Sequence, residues 1–233
     1  MEFHFILSHP AVAENIGAAA RALKTMGFSS LRLASPASHL STDARKLAHG
    51  SNDILEKARV YDTTAEAIAD LDFIIGTTSK KRNIRQEYIP VRELSAFLQN
   101  KSGTVTTVGI LFGSEESGLS NEEIQRCDIL SYIPLATSFP SLNLAQAVML
   151  FAYELSGLHT QPQIHSQPAK ESSYKILKDK TKELLSLLGI HEARPIYHRI
   201  FERLALTKET DIHLLLSVTE AMIKKQSGRK KNS

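Results

Sequence analysis

The 233-residue sequence has little of what marks secreted or membrane proteins. Cys127 is its only cysteine, so an internal disulfide is impossible and nothing suggests an oxidising compartment. No run approaches the roughly 18 to 20 apolar residues that span a bilayer. Residues 1–10 lack the basic start and long apolar run of a signal peptide. The sequence therefore predicts a soluble cytoplasmic protein.

The motifs of several enzyme classes are also absent. The nine histidines show no H-E-x-x-H or C-x-x-C…H spacing, so no metal site is predicted. Neither a P-loop, a G-x-G-x-x-G run nor a G-x-S-x-G elbow occurs. Cys127 has no obvious partner for nucleophilic catalysis, and His4 and His9, which flank the first strand, are interpreted as packing or surface residues. These absences disfavour metalloenzymes, nucleotide-binding P-loop proteins and serine hydrolases.

Positive charge is in slight excess but unevenly distributed. The 28 Lys and Arg residues against 25 Asp and Glu give a net charge of +3, which does not by itself indicate a nucleic-acid-binding protein. Two basic groups stand out and can contact phosphates. They are Lys80, Lys81, Arg82 and Arg85, and near the carboxyl terminus Lys224, Lys225, Arg229, Lys230 and Lys231. The alternatives are a solvated loop for the first group and a frayed terminus for the second.

Short apolar runs alternate with helical periodicity up to residue 157. Strands are predicted at 3–7, 31–33, 73–77, 105–112 and 129–135, and helices at 15–26, after Thr63, at 91–98, after Ser120 and from Leu144. This alternation predicts an α/β fold in which helices cover both faces of a parallel sheet. Because such sheets bind ligands beyond the carboxyl ends of their strands, chemistry is expected at that edge.

The composition changes after residue 157. Residues 158–170 are rich in His, Gln, Pro and Ser and are predicted to be a linker. Three amphipathic helices follow in 171–233, a length that is marginal for an independent fold. The sequence thus predicts a main domain at 1–157 and a small helical domain that docks on the main domain or on a second copy.

Three short segments carry possible chemistry. Residues 14–21 place Asn15 and Arg21 at a helix start, residues 112–119 place two carboxylates between glycines after a strand, and residues 138–144 precede the long helix. Each also has a structural interpretation. Asn15 can simply cap a helix, the acids can be solvated in a turn, and Ser141 or Asn143 can cap the next helix.

Together, and in this order, these segments resemble the motifs of SPOUT-class ribose methyltransferases. The pattern N-x-G-x-x-x-R occurs at Asn15, Gly17 and Arg21, F-G-x-E-x-x-G-L at 112–119, and S-L-N-L at 141–144. The stretch ENIGAAARALKTMG at 14–27 is most similar to the TrmJ family of tRNA 2′-O-methyltransferases and its LasT-like relatives. The resemblance covers 1 to about 157 well and the helical tail more loosely.

The resemblance implies a trefoil-knotted domain, which sequence pattern alone would not suggest because knots are rare. It also implies a homodimer whose active site lies near the subunit interface, with dimer surfaces on the 15–26 and closing helices. The reaction would be 2′-O-methylation of tRNA, in the anticodon loop, with S-adenosylmethionine as cofactor. The implied cofactor-binding residues are Thr77, Thr78, Ser79, Leu111, Gly113, Ile133, Ser141 and Leu142. Methylation of ribosomal or other RNA, and a non-catalytic RNA-binding relative, are the alternatives.

The implied catalytic residues are Arg21, Asn15, Glu115 and Asn143. The family assigns activation of the ribose hydroxyl to the residue matching Arg21. A guanidinium with a pKa above about 12 rarely loses its proton, so we expect Arg21 to orient the ribose and its 3′-phosphate instead. A phosphate oxygen or water would then accept the proton. Asn15, Glu115 and Asn143 would position Arg21 and the substrate, and the basic residues at 80–85 would contact RNA.

Overall fold

The computed structural model describes residues 1–79, 87–137, 141–159 and 172–229. Contacts divide the chain into two compact units, Met1–Gln99 with Thr107–Ile164, and Asn100–Thr106 with His165–Ser233. The strands of the first unit are β1 Glu2–Ser8, β2 Leu31–Ala34, β3 Arg59–Tyr61, β4 Phe73–Thr77, β5 Tyr88–Pro90, β6 Thr107–Phe112 and β7 Ile129–Tyr132. Its helices are α1 Ala13–Thr25, α2 Thr42–Leu47, α3 Asn52–Lys57, α4 Thr64–Ile68, α5 Val91–Gln99, α6 Asn121–Arg126 and α7 Leu144–His159. The second unit contains α8 Ser173–Leu187, α9 Pro195–Ala205 and α10 Glu209–Arg229.

The strands form one sheet in the order β3-β2-β1-β6-β4-β7-β5. Every strand pairing in the described part of the chain is parallel. The predicted α/β class with a parallel sheet is therefore confirmed. Strands β6, β4 and β7 are neighbours at the centre of the sheet, so their carboxyl ends lie side by side.

Alternate residues of the central strands face two different helix layers. On one face the ring of Phe112 lies 6.3 Å from that of Phe5 and 5.4 Å from that of Phe151 in α7. On the other face Leu111 packs with Ile68 of α4 and Ile124 of α6 in a buried apolar cluster. Because side chains alternate along a strand, both faces of β6 are apolar and both are covered, as expected for a parallel sheet.

Two edge strands, β3 and β5, were not predicted from the sequence. Each has three residues, and β5 ends at Pro90, which lacks a ladder N–H and is tolerated at a sheet edge. Such short segments carry too few residues for a hydrophobic period to emerge.

The polar residue Arg32, between Leu31 and Leu33 in β2, does not face solvent. Arg32 is only 2% exposed, and its guanidinium donates to Asp70 Oδ1 at 2.5 Å and Oδ2 at 3.0 Å. The partly exposed carboxylate of Asp70 thus takes the place of solvent for the buried guanidinium. Hydrogen bonds from Arg32, outweighing partial burial of the carboxyl, hold the pKa of Asp70 below its usual value.

Neither end of helix α1 depends on a side-chain cap. Its N-cap is Val12, which makes no side-chain cap bond, so the interpretation of Asn15 as the cap is wrong. Gly17 permits the close approach of α2, because a Cβ at this position would lie 2.0 Å from the carbonyl oxygen of Ala44. Gly27, with φ of 86°, terminates the helix in the left-handed conformation as predicted.

The second unit contains the three predicted helices and a segment that sequence placed elsewhere. Asn100–Thr106 belongs to this unit, where the buried Lys101 donates to the carbonyl of Thr207 at 2.9 Å and lies 5.6 Å from the ring centroid of Tyr174. On α10, Leu214, Val218 and Met222 are exposed in consecutive turns. The domain limits inferred from composition stay a prediction.

Candidate active site

Three of the four predicted catalytic residues meet in one hydrogen-bonded cluster, called here the motif cluster: Asn15, Glu115 and Asn143. Asn15 donates to Glu115 Oε1 at 2.9 Å, and Asn143 donates to Asn15 Oδ1 at 2.8 Å. The backbone amides of Ala11 and Val12 also donate to the Glu115 carboxylate, at 3.0 and 3.3 Å. These side-chain hydrogen bonds join Asn15 to Glu115, 100 positions later, and to Asn143, 128 positions later. They therefore connect all three sequence motifs.

The ionised form of Glu115 is favoured by its surroundings. Partial burial raises the pKa of this carboxyl, but the bonds from Asn15 and from the backbone of Ala11 and Val12 outweigh it and leave the pKa below its ordinary value. At neutral pH the carboxylate therefore only accepts hydrogen bonds, which fixes the amide of Asn15 with its nitrogen toward Glu115 and its oxygen toward Asn143.

Asn143 has both roles that the sequence left open. It precedes α7, and its side chain accepts from the backbone amide of Ala145 at 2.8 Å, as a helix N-cap does. Gln146 in turn accepts from the backbone amide of Asn143 at 3.1 Å. Since the amide nitrogen of the same side chain reaches Asn15, the cap that starts α7 also sets the position of the motif cluster.

The turn after β6 is closed by its glycines. A Cβ on Gly113 would lie 2.0 Å from the carbonyl carbon of Gly118, and Gly118 has φ of 67° and donates to the carbonyl of Ser114 at 2.9 Å. The structure shows that Gly113 accommodates the backbone of its own turn, and this compact turn presents Glu115 to Asn15.

A cavity of about 530 Å³ lies beside the motif cluster at the carboxyl ends of β4, β6 and β7. Seven of the eight predicted cofactor-binding residues line it: Thr77, Thr78, Ser79, Gly113, Ile133, Ser141 and Leu142. Leu111 does not, because its side chain is buried on the opposite face, and Phe112 lines the cavity next to it. The location agrees with the rule for parallel sheets, and the volume lies within the range of small-ligand sites, about 300 to 1,000 Å³.

The composition of this wall fits a nucleoside that carries a positive charge. Leu119, Leu142 and Phe151 give flat apolar contact, which suits a base. Thr77, Thr78 and Ser79 give hydroxyls that suit a ribose, and Glu115 and Glu116 supply negative charge. S-adenosylmethionine has all three properties, so the residues present fit the cofactor that the sequence implied.

Of the predicted RNA-contacting residues, only Arg21 belongs to the described part of the chain, and it is not a member of the motif cluster. Arg21 is exposed on α1, and its side chain has no partner among the described residues. Six helical positions put it about 9 Å along the axis from Asn15 and about 120° around it, so the two side chains leave α1 in different directions. Lys80, Lys81, Arg82 and Arg85 lie outside the described residues.

A second polar group, called here the buried cluster, was not predicted: Ser8, Thr64 and Glu123. Both hydroxyls donate to Glu123 Oε1, from Thr64 at 2.9 Å, while the backbone amide of Ser120 donates to Oε2 at 2.7 Å. Ser120 and Glu123 form a capping box at the start of α6, but nothing in the sequence indicated the contacts of Glu123 with β1 and α4. In the sequence, the only indication that Ser8 lies near a site is its position at the carboxyl end of β1.

Within the described residues no helix is long and apolar enough to cross a membrane. No group of three or more His, Cys, Asp or Glu side chains in the same part of the chain is placed to hold a metal ion.

A parallel α/β sheet with a nucleoside-sized cavity at its carboxyl edge is the arrangement in which many nucleotide- and cofactor-binding enzymes hold their ligands. Residues 2–153 match the SpoU rRNA Methylase family. The chain therefore belongs to this family of methyltransferases, and the resemblance inferred from the three motifs is confirmed.

Similar proteins agree with this assignment. The chain is 39% identical over 228 residues to an uncharacterized tRNA/rRNA methyltransferase, LasT, of Escherichia coli K12, covering 97% of this chain and 100% of that protein. It is 42% identical over 148 residues to the tRNA (cytidine/uridine/adenosine-2′-O-)-methyltransferase TrmJ of Pseudomonas aeruginosa, covering 64% of this chain and 56% of TrmJ. The crystal structure of TrmJ from Z. mobilis ZM4 superimposes with a TM-score of 0.68 at 30% identity, covering 95% and 99% of the two chains.

Proposed function

We propose that this protein transfers a methyl group from S-adenosylmethionine to a ribose 2′-hydroxyl of tRNA. The observation that carries the proposal is the motif cluster: Asn15, Glu115 and Asn143 are hydrogen-bonded to one another, and Glu115 also lines the cavity. The similarity to a TrmJ that acts on tRNA supports the substrate. We also propose that the protein is cytoplasmic, where tRNA is modified, and that its main domain contains the trefoil knot.

The chemistry requires positioning more than acid or base strength. S-adenosylmethionine, when bound, supplies an electrophilic methyl group on a sulfonium whose departure leaves a neutral thioether. Thr77, Gly113 and Leu142 in the cavity wall would hold the cofactor, and the compact turn at Gly113 keeps that wall in place. Fixing two reactants in line contributes several kcal/mol to lowering such a barrier.

The motif cluster orients the substrate at the mouth of the cavity. Asn15 and Asn143 have their amide orientations fixed by Glu115, so an incoming ribose meets polar groups that need not reorganise. Arg21 binds the ribose and its 3′-phosphate through its five donors, and the proton of the 2′-hydroxyl passes to a phosphate oxygen or water. Lys80, Lys81, Arg82 and Arg85 add phosphate contacts.

Two copies of the chain assemble the site. Because Arg21 projects from α1 away from Asn15, it serves the cavity of a second copy rather than its own. The apolar faces of α1 and α7 named as dimer surfaces are instead buried within the chain at Ile16, Leu23, Val148 and Phe151. The opposite side of α7 exposes Leu150 and Tyr153, which supply the apolar part of the dimer surface.

Methylation of purified RNA tests the function. The protein and methyl-labelled S-adenosylmethionine are incubated with total tRNA and, separately, with rRNA, from cells that lack the gene, and the digested nucleosides are identified. We expect label in 2′-O-methylnucleosides of tRNA. Label in rRNA alone would replace the substrate with the one named in the family description, and label in neither would reject the proposal.

Two variants test the roles of Arg21. Arg21→Ala should lower kcat about 100-fold or more while cofactor affinity in calorimetry stays unchanged, because it removes contacts to the reacting substrate. An arginine acting as base predicts a rate that still rises at about pH 9 to 10, and an orienting arginine predicts a plateau. Mixing Arg21→Ala with Glu115→Ala subunits should restore activity, since a mixed dimer has one intact site. No restoration would place Arg21 and Glu115 in the same copy's site.

A further inference from the structure

A second cavity, of about 460 Å³, lies on the other side of the turn after β6. It shares Ser114, Ser117 and Gly118 with the first cavity, so one turn separates the two. Its remaining walls come from the ends of β1 and β3, from the start of α4 and from α6, and they include His9, Asp62 and Glu123. A cavity of this size, with several polar side chains converging on it, fits the usual description of a ligand site.

His9 is held in this cavity by strained backbone. With φ of 50°, it is one of two non-glycine residues with positive φ among those described, the other being Ser35. Its backbone amide donates to the carbonyl of Ala34 at 2.9 Å, and its Nδ1 lies 2.7 Å from Ser8 Oγ. Left-handed backbone is unfavourable at a non-glycine residue, and such residues concentrate at functional sites. The histidine side chain is nevertheless 60% exposed, so core packing does not explain the strain.

The buried cluster determines which nitrogen of His9 faces a ligand. Ser8 donates its proton to Glu123, and Thr64 donates to the same carboxylate oxygen at 2.9 Å. Ser8 Oγ has then no proton left for His9, so the tautomer that carries its proton on Nδ1 fits this pair. Nε2 is the remaining acceptor, and it has no partner among the described residues.

Charge and hydrogen bonding identify the class of ligand. Asp62, Glu122 and Glu123 line the cavity, with the Glu123 side chain largely buried, and the one arginine among the lining residues, Arg126, is paired with Glu122 at 2.9 Å. This excess of negative charge disfavours a phosphate group. The acceptors offered by His9 Nε2 and Asp62 favour a ligand with N–H donors. A nucleobase with an exocyclic amino group meets this requirement, and its face can also stack on the imidazole.

We propose that the second cavity binds an unstacked, amino-bearing nucleobase of the RNA substrate, from a nucleotide next to the one methylated, and that His9 recognises it. The proposal rests on the proposed function, because the RNA must lie at the first cavity for a neighbouring base to reach the second. Ser8 and Glu123 act as positioning residues that fix the imidazole.

A cycle of protein and RNA changes tests the contact. The kcat/KM for RNA is measured for wild type and His9→Ala, each on the substrate tRNA and on versions in which a base flanking the methylated nucleotide is removed. At one flanking position we expect base removal and His9→Ala each to lower kcat/KM about 10-fold, and the two together to lower it no further. Equilibrium binding of the same RNAs by fluorescence anisotropy should show the same non-additivity even if turnover fails.

Three further variants serve as controls. His9→Asn also removes the imidazole but tolerates the left-handed backbone, so it should reproduce the defect if the ring, and not the strain, matters. His49→Ala removes an exposed histidine that lines neither cavity and should match wild type. Ser8→Ala keeps the ring but removes its acceptor, and should lower kcat/KM about 5-fold.

The outcomes separate the two proposals. If wild type methylates RNA and His9→Ala does so equally well, or if the two changes multiply at every flanking position, the second cavity does not bind a base. A His9→Ala defect that persists on every abasic RNA would mean that His9 contacts phosphate or sugar, which also overturns the inference. If wild type neither methylates nor binds any RNA tested, the proposed function itself has failed.

Discussion

The motif cluster and the buried cluster use the same device for different purposes. Each centres on one glutamate, Glu115 or Glu123, whose pKa is held below its ordinary value by hydrogen bonds that outweigh the opposing effect of burial. Glu115 is half-buried, lines the cofactor cavity and is bonded to a side-chain amide and two backbone amides. Glu123 is buried and joins β1, α4 and α6 through hydroxyls and a helix cap. The comparison teaches that a low carboxyl pKa does not by itself separate a catalytic site from a structural joint.

Among changes in the two clusters, the largest effect is expected from Glu115→Ala. Losing the acceptor that orients Asn15 should lower kcat about 100-fold, because the polar groups at the mouth of the cavity are then free to reorganise. Since the site is partly exposed, the free energy of unfolding should fall by only about 1 kcal/mol. Single-turnover methylation and urea denaturation measure the two effects. A fall in stability larger than that of Glu123→Ala would reverse the comparison.

Glu123→Ala should lower the stability of the protein more than Glu115→Ala does, without weakening cofactor binding. It leaves Ser8, Thr64 and the amide of Ser120 without their common acceptor, so we expect the free energy of unfolding to fall by about 2 to 3 kcal/mol. Affinity for S-adenosylmethionine, measured by calorimetry at a temperature where the variant is folded, should be unchanged. Arg126→Ala is the matched control, since it removes an exposed side chain of the same helix and should cost less than about 0.5 kcal/mol.

Asn143→Ala sharpens the comparison because Asn143 both belongs to the motif cluster and caps helix α7. Loss of the cap on α7 should lower the free energy of unfolding by about 1 kcal/mol. Asn143→Ser restores a capping oxygen but not the bond to Asn15, so it should recover stability without recovering kcat. Thermal melts and initial rates on the same preparations separate the capping role of Asn143 from its role in methyl transfer. Recovery of both would assign Asn143 to the helix alone.

The smallest expected effect is on the pH dependence of stability. A carboxyl whose pKa is lower in the folded chain stabilises it fully above the unfolded value, near 4.5, and that contribution is lost as the pH falls through the folded pKa. Below pH 4.5 wild type should therefore lose its stability advantage over Glu123→Gln, and to a lesser degree over Glu115→Gln. Urea midpoints between pH 6 and 3 measure the difference. An advantage that grows on acidification would show that the pKa is raised.

Much of the motif cluster was predictable because its members occupy helix starts and a strand-to-helix turn. Asn15, Glu115 and Asn143 each follow a strand, and parallel strands bring such positions to one edge. The individual bonds were not predictable: Asn15 was interpreted as a helix cap, whereas its side chain bridges Glu115 and Asn143. Local rules describe which bonds a residue can make with its own helix, and tertiary contacts at this position outcompete them.

The buried cluster shows the limit more plainly. Nothing in the sequence near Ser8 indicates a carboxylate 115 positions later, and the capping box at Ser120 accounts for Glu123 without it. Arg32 likewise reads as the polar face of an exposed strand until Asp70 is seen beside it. Burial of a polar group depends on a partner that is distant in sequence, so composition and periodicity cannot reveal it.

The sequence by itself determined the alternation of strands and helices, the parallel sheet, the family and the edge at which ligands bind, because these follow from local periodicity and from short motifs. The tertiary structure alone decided that Leu111 turns away from the cavity and that His9 is held beside Glu123. Each of these depends on the direction of a side chain relative to distant backbone, which is fixed only when the sheet and its helices pack together.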